Sequence, residues 1–152
     1  MTEPRLTPAR FLAAWGVAFI VMGVLDGLWL GWLALDFYQR ELGPLMTDSV
    51  RIVPAALYYL LYPAAIVFLA LTPRPASVRS AAVRSAVLGL TAFGVYDLTN
   101  LSTLRGYSVA MTAVDMAWGT FATAAGGTAA YRWVLARAPT LRGSAGAGQR
   151  VP

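Results

Sequence analysis

Four runs of apolar residues, each about as long as a helix needs to cross the hydrocarbon of a bilayer, govern what this chain can fold into. They lie at about residues 11–35, 52–71, 84–104 and 108–135. Backbone N–H and C=O groups in lipid find no water, so each run must satisfy them internally, and helix is the state that does so within one segment. Thr7-Pro8 reads as a start signal, a hydroxyl cap followed by a proline at the first helical position. The first run is too long for a signal-peptide core and has no convincing cleavage site behind it, so it reads as a true span. The expectation is an all-α integral membrane protein, a four-helix transmembrane bundle. A tail at 1–9 precedes the transmembrane domain at 10–135, and the Gly/Ala/Ser/Pro-rich stretch 136–152 reads as a disordered tail.

Composition narrows the chemistry. Hydrophobic residues make up 58% of the chain and charged ones 12%, against about a quarter in soluble domains. There is no Cys, His or Lys, and all twelve basic residues are Arg. Disulfides, thiolate nucleophiles, His-ligated metals, Ser-His-Asp triads and Lys Schiff bases are excluded. The net charge of +5 does not point to nucleic acid, because the arginines sit at segment ends as membrane flanks. Nine of them (Arg5, Arg10, Arg74, Arg79, Arg84, Arg132, Arg137, Arg142, Arg150) fall on one side and three (Arg40, Arg51, Arg105) on the other. The positive-inside rule therefore predicts both termini in the cytoplasm. An Ala-, Gly- and Arg-rich chain without Lys suggests a bacterium with GC-rich DNA, hence a multi-pass protein of the inner membrane.

Of seven acidic residues, Glu3, Asp36, Glu41 and Asp48 belong to water or the interface, while Asp26, Asp97 and Asp115 fall inside the runs. At ~1.5 Å per residue, Asp26 lies roughly 22 Å, Asp97 roughly 20 Å and Asp115 roughly 20 Å from the inner surface. Three helices thus deliver an acid to one layer. Tyr58 enters it from the second helix, with Tyr62 one turn on and Tyr59 beside them. Pro63 removes an amide and is expected to kink that helix and free the Tyr59 carbonyl. Asp97 and Asn100 share a face. Gly23, Gly27 and Gly31 in the first helix, and Thr112, Asp115, Gly119, Ala122 and Gly126 in the fourth, read as stripes that let helices approach closely.

The candidate site is Asp26, Asp97, Asn100, Asp115 and Tyr58, supported by Trp29, Tyr62, Tyr96, Thr99 and Trp118. Ionised carboxylates at this depth are expensive, so the group is expected to share protons and titrate as a unit, with Arg105 placed to neutralise one acid. The leading reading is a carboxylate-centred site that binds or transports a proton or cationic solute. An oxygen-only site for Mg²⁺ or Ca²⁺ is a variant of it. The alternatives are an enzyme acting on a lipid or isoprenoid with paired Asp acid and base, and a structural or accessory subunit in which the acids only join helices, at about 0.6 kcal/mol per bond. No catalytic residue, metal or cofactor is assigned. The expected partners are membrane lipids and a second copy in a homodimer, with no nucleic acid. The stretch 36–43, with Asp36 and Arg40 at helical spacing, is either a solvated helix end or an extension capping the cluster from outside.

LDGLWLGWLALDFYQRELG (25–43), YYLLYPAAI (58–66), YDLTNLSTLRGY (96–107) and VDMAWGTF (114–121) occur in this order. Together they resemble the small bacterial integral-membrane family known as domain of unknown function 2177. The resemblance covers residues 11–135 and implies a four-helix membrane protein whose biochemical role is unassigned.

Overall fold

The computed structural model describes residues 6–47 and 49–136, and these form an all-helical chain. Helix α1 spans Pro8–Leu28 and runs on through a wider turn, Trp29–Leu33; α2 is Leu35–Leu42. Helix α3 spans Ile52–Ala65 and continues through Ile66–Ala70; α4 is Val78–Thr103; α5 is Val109–Ala130, continued by Tyr131–Leu135. Glu3, Asp48 and the tail 137–152 lie outside the described residues.

Start signals in the sequence act as caps. The Thr7 hydroxyl accepts from the Arg10 amide at 3.4 Å and the Ser108 hydroxyl from the Met111 amide at 2.9 Å. Ser77 does the same for Ser80 at 3.1 Å, so α4 begins at Val78, six residues before the expected start. Arg79 and Arg84 therefore stand on the helix rather than in the loop, and Arg84 donates to the carbonyls of Pro73 (2.8 Å), Leu69 and Thr72 (both 3.4 Å).

Among the described residues, three helical stretches are long and apolar enough to cross a membrane: Pro8–Leu33, Ile52–Ala70 and Val78–Thr103. Helix α5 is not among them, being built largely from Ala, Gly and Thr with Asp115 in its second turn. Those small residues suit it to the interior. Eight of its residues are buried, and it packs along α4 on one side and against α1 on another.

Glycine plays two opposite parts. A Cβ on Gly89 would stand 2.8 Å from the Gly119 carbonyl oxygen, one on Gly119 would enter the Phe93 ring, and one on Gly126 would meet Met22 Cγ at 3.0 Å. The α5 stripe thus allows close approach, as its spacing predicts. The α1 stripe does not. A Cβ at Gly23, Gly27 or Gly31 would meet nothing within 4 Å, because the neighbouring helix stands away. Helix α3 is buried chiefly at its C-terminal end, at Pro63, Ile66, Val67, Ala70 and Leu71. Its N-terminal half leaves Ile52, Val53, Leu57 and Leu61 more than half exposed. Near Pro63 the carbonyl that finds a side-chain donor is that of Leu60, which accepts from Trp15 Nε1 at 2.9 Å, not that of Tyr59.

Candidate functional site

Because α3 stands off α1, a groove of about 870 Å³ opens between them. Gly23, Gly27 and Gly31 form one wall, Ala55, Tyr58 and Tyr59 another, and Phe93, Asp115 and Trp118 close the back. The lining is nearly all carbon, with carboxyl groups from Asp26 and Asp115 among it.

Each acid is held by neutral donors. Asp26, 5% exposed, accepts from Trp118 Nε1 at 2.9 Å on one oxygen and from the Tyr59 hydroxyl at 3.2 Å on the other. Asp115 accepts from the Tyr38 hydroxyl, which in turn accepts from Trp29 Nε1 at 3.3 Å. The Trp29 and Trp118 rings stack at 4.3 Å and 6°, joining the two halves of the network. Asp97, fully buried, accepts on Oδ1 from the Tyr107 hydroxyl at 2.5 Å. Its Oδ2 has no donor. The Asp115 carboxyl lies within hydrogen-bonding reach of Asp97. Asn100 reaches the Tyr107 hydroxyl.

Two of these donors come from outside the spans. Tyr38 projects from α2, and Tyr107 follows Gly106, whose φ of +81° turns the chain from α4 back toward α5. That left-handed conformation favours glycine. Both phenols are pushed above the ordinary tyrosine value, first by burial and then by the bond each makes to a carboxyl group, so both remain donors.

The structure thus brings Asp97 and Asp115 into contact and sets Asp26 on the same groove. Tyr58 lines the groove and stacks on Tyr62 at 5.5 Å, while Tyr62 bonds the Thr123 hydroxyl at 3.0 Å on α5. Two expected supporting residues do not join. Tyr96 is 58% exposed, and the Thr99 hydroxyl turns back to its own helix, onto the Val95 and Tyr96 carbonyls. Arg105 is exposed, and the acids take tyrosine donors instead. The stretch 36–43 caps the cluster through Tyr38, with Glu41 accepting from the Ser108 hydroxyl at the start of α5. Tyr38, Tyr59 and Tyr107 are donors that the candidate site did not include, and Tyr107 is the hardest of them to find. Its only signal is its place after a glycine at a helix end, a position no helical period governs. Among the described residues, no three His, Cys, Asp or Glu side chains are grouped to hold a metal ion, so the Mg²⁺ or Ca²⁺ variant gains no support.

Apolar spans, a small-residue central helix and buried acids under tyrosine donors define a helical membrane protein. Residues 11–132 match the family described as predicted membrane protein DUF2177, and the chain belongs to that family. No curated protein and no solved structure matches it.

Proposed function

We propose that this protein binds an amphiphilic cation, its apolar body in the groove and its charge against Asp26 and Asp115. One observation carries the reading: a groove with an almost wholly apolar lining has two carboxyl groups, Asp26 and Asp115, in its wall. A purely helix-joining role for the acids leaves such an opening without a purpose, since glue needs packing and not space. Tyr58 and Trp118 add aromatic faces to the groove, which attract cations. In this reading α5 is the fourth span, both termini face the cytoplasm, and the protein resides in a bacterial inner membrane.

Two ions of like size and opposite charge test it. Tetraphenylphosphonium should quench the tryptophan fluorescence of the protein in phosphatidylcholine nanodiscs saturably, and tetraphenylborate should not. Gly27→Leu, which fills the groove from a wall with free space around it, should weaken the cation's binding at least tenfold. Equal binding of both ions, or of neither, refutes the proposal.

A second reading rests on the contact between Asp97 and Asp115. Two carboxyl groups at a lipid-like groove also supply an acid and a base for work on a lipid or isoprenoid headgroup. Lipid profiling of a deletion strain beside an Asp97→Asn strain separates the two, since only an enzyme makes an altered lipid accumulate in both.

A further inference from the structure

Asp97 Oδ2 is a fully buried oxygen with no donor, and the Asp97 carboxyl lies within reach of a second acid, Asp115. Two carboxylates this close repel each other when both are ionised, and the burial of Asp97 adds to the cost. Their surroundings offer no relief. The titratable groups facing the pair are Asp26 from α1, Tyr38 from α2, Tyr58 from α3, and Tyr107 from the loop before α5. Every one is either neutral or negative. Arg40 and Arg105, the arginines nearest in sequence to these tyrosines, are exposed.

Position divides the pair. Asp97 is sealed, whereas Asp115 is partly exposed and lines the groove. We infer that Asp97 and Asp115 hold one proton between them, and that an amphiphilic cation seating in the groove displaces it, so that binding and proton release are one event. This rests on the groove reading above. The balance is simple. A cation and a singly protonated carboxyl pair become a cation paired with two carboxylates, and the proton goes to water. Asp115 is the group that meets the ligand; Asp97 is a positioning residue that keeps the proton available and acts only through Asp115. The tyrosine on Asp115 rises from α2 and the one on Asp97 from the loop between α4 and α5, which gives the pair its hydrogen-bonded side toward that end of the helices.

The experiment is calorimetry of tetraphenylphosphonium binding to the full chain in phosphatidylcholine nanodiscs, at one pH, in buffers of different ionisation enthalpy. Wild type should release close to one proton per cation bound, and Asp97→Asn, whose amide donates to Asp115 without a titrating proton, should bind while releasing almost none. Heats that do not change with buffer overturn the inference while leaving the groove reading intact. Absence of binding overturns both. Should Asp97→Asn fail to fold, infrared difference spectra of wild type decide the matter. Adding the cation must remove the C=O band of a protonated carboxylic acid; an unchanged band overturns the inference.

Discussion

Replacing Gly119 and Gly27 by alanine, one at a time, separates close packing from open groove within one molecule. At Gly119 the new methyl falls inside the Phe93 ring, near the root of that side chain, where a small torsion does not clear it. Either α4 moves away from α5 along their shared length or the ring swings into the groove it lines. Overpacking of this kind costs about 1–3 kcal/mol. At Gly27 the methyl meets nothing within 4 Å, and alanine is the better helix former by about 0.5–1 kcal/mol. The two substitutions are chemically identical and should differ by about 1.5–4 kcal/mol with opposite sign when those ranges combine. Reversible unfolding in mixed micelles, with helicity as the signal, measures both. Phe93→Leu should restore much of the loss in Gly119→Ala and do little for Gly27→Ala. If Gly27→Ala destabilises as much as Gly119→Ala, α1 is packed against a neighbour through that stripe and the groove does not exist in the membrane.

The tyrosine donors give further tests. Tyr107→Phe removes the one hydroxyl on Asp97 and should cost about 1.5–3 kcal/mol in the same unfolding assay, whereas Tyr96→Phe, at an exposed phenol, should change stability by less than about 0.5 kcal/mol. Trp118→Phe keeps a ring beside Trp29 but strips Asp26 of its indole donor, and should cost about 1–3 kcal/mol, with Tyr59→Phe additive only in part because both bond one carboxyl. Tyr38 and Tyr107 hold their protons more tightly when folded than when unfolded. Above about pH 10, the unfolded chain loses those protons first, so stability is full below that pH and falls as it rises. Tyrosinate absorbance that appears before unfolding would contradict this.

The helices were legible because apolar length is a local property: each predicted run begins and ends within a few residues of a helix except at α4, where the Ser77 cap sits among alanines and arginines that hydropathy ignores. The three acids were legible because a carboxylate inside an apolar run contradicts its surroundings. What the sequence hid was distance. Gly23, Gly27 and Gly31 have the same spacing logic as Gly119 and Gly126, yet one set meets open space and the other meets Phe93 and Met22. A stripe states that something can come near, and only the opposing helix decides whether it does. Tyr107 was hidden for a related reason. Its approach to Asp97 depends on the turn at Gly106, and a turn sets directions that no periodicity records.

The choice of donors around the acids has its own logic. An arginine beside Asp115 would cancel its charge permanently and close the site. Phenols and indoles do something different. Each stabilises a carboxylate through a charge-assisted bond worth about 1.5–3 kcal/mol, and none removes the charge. Tyr38, Tyr59, Tyr107 and Trp118 therefore hold the acids in place while leaving the electrical balance to something mobile. In a membrane that balance must still be met. With no fixed base among these donors, it falls to a proton or to a cation that reaches the groove. Those two occupants compete for the same oxygens, so a site assembled in this way exchanges one for the other by construction. Placing a fixed charge there, as in Trp29→Arg, should abolish cation binding even if the fold survives.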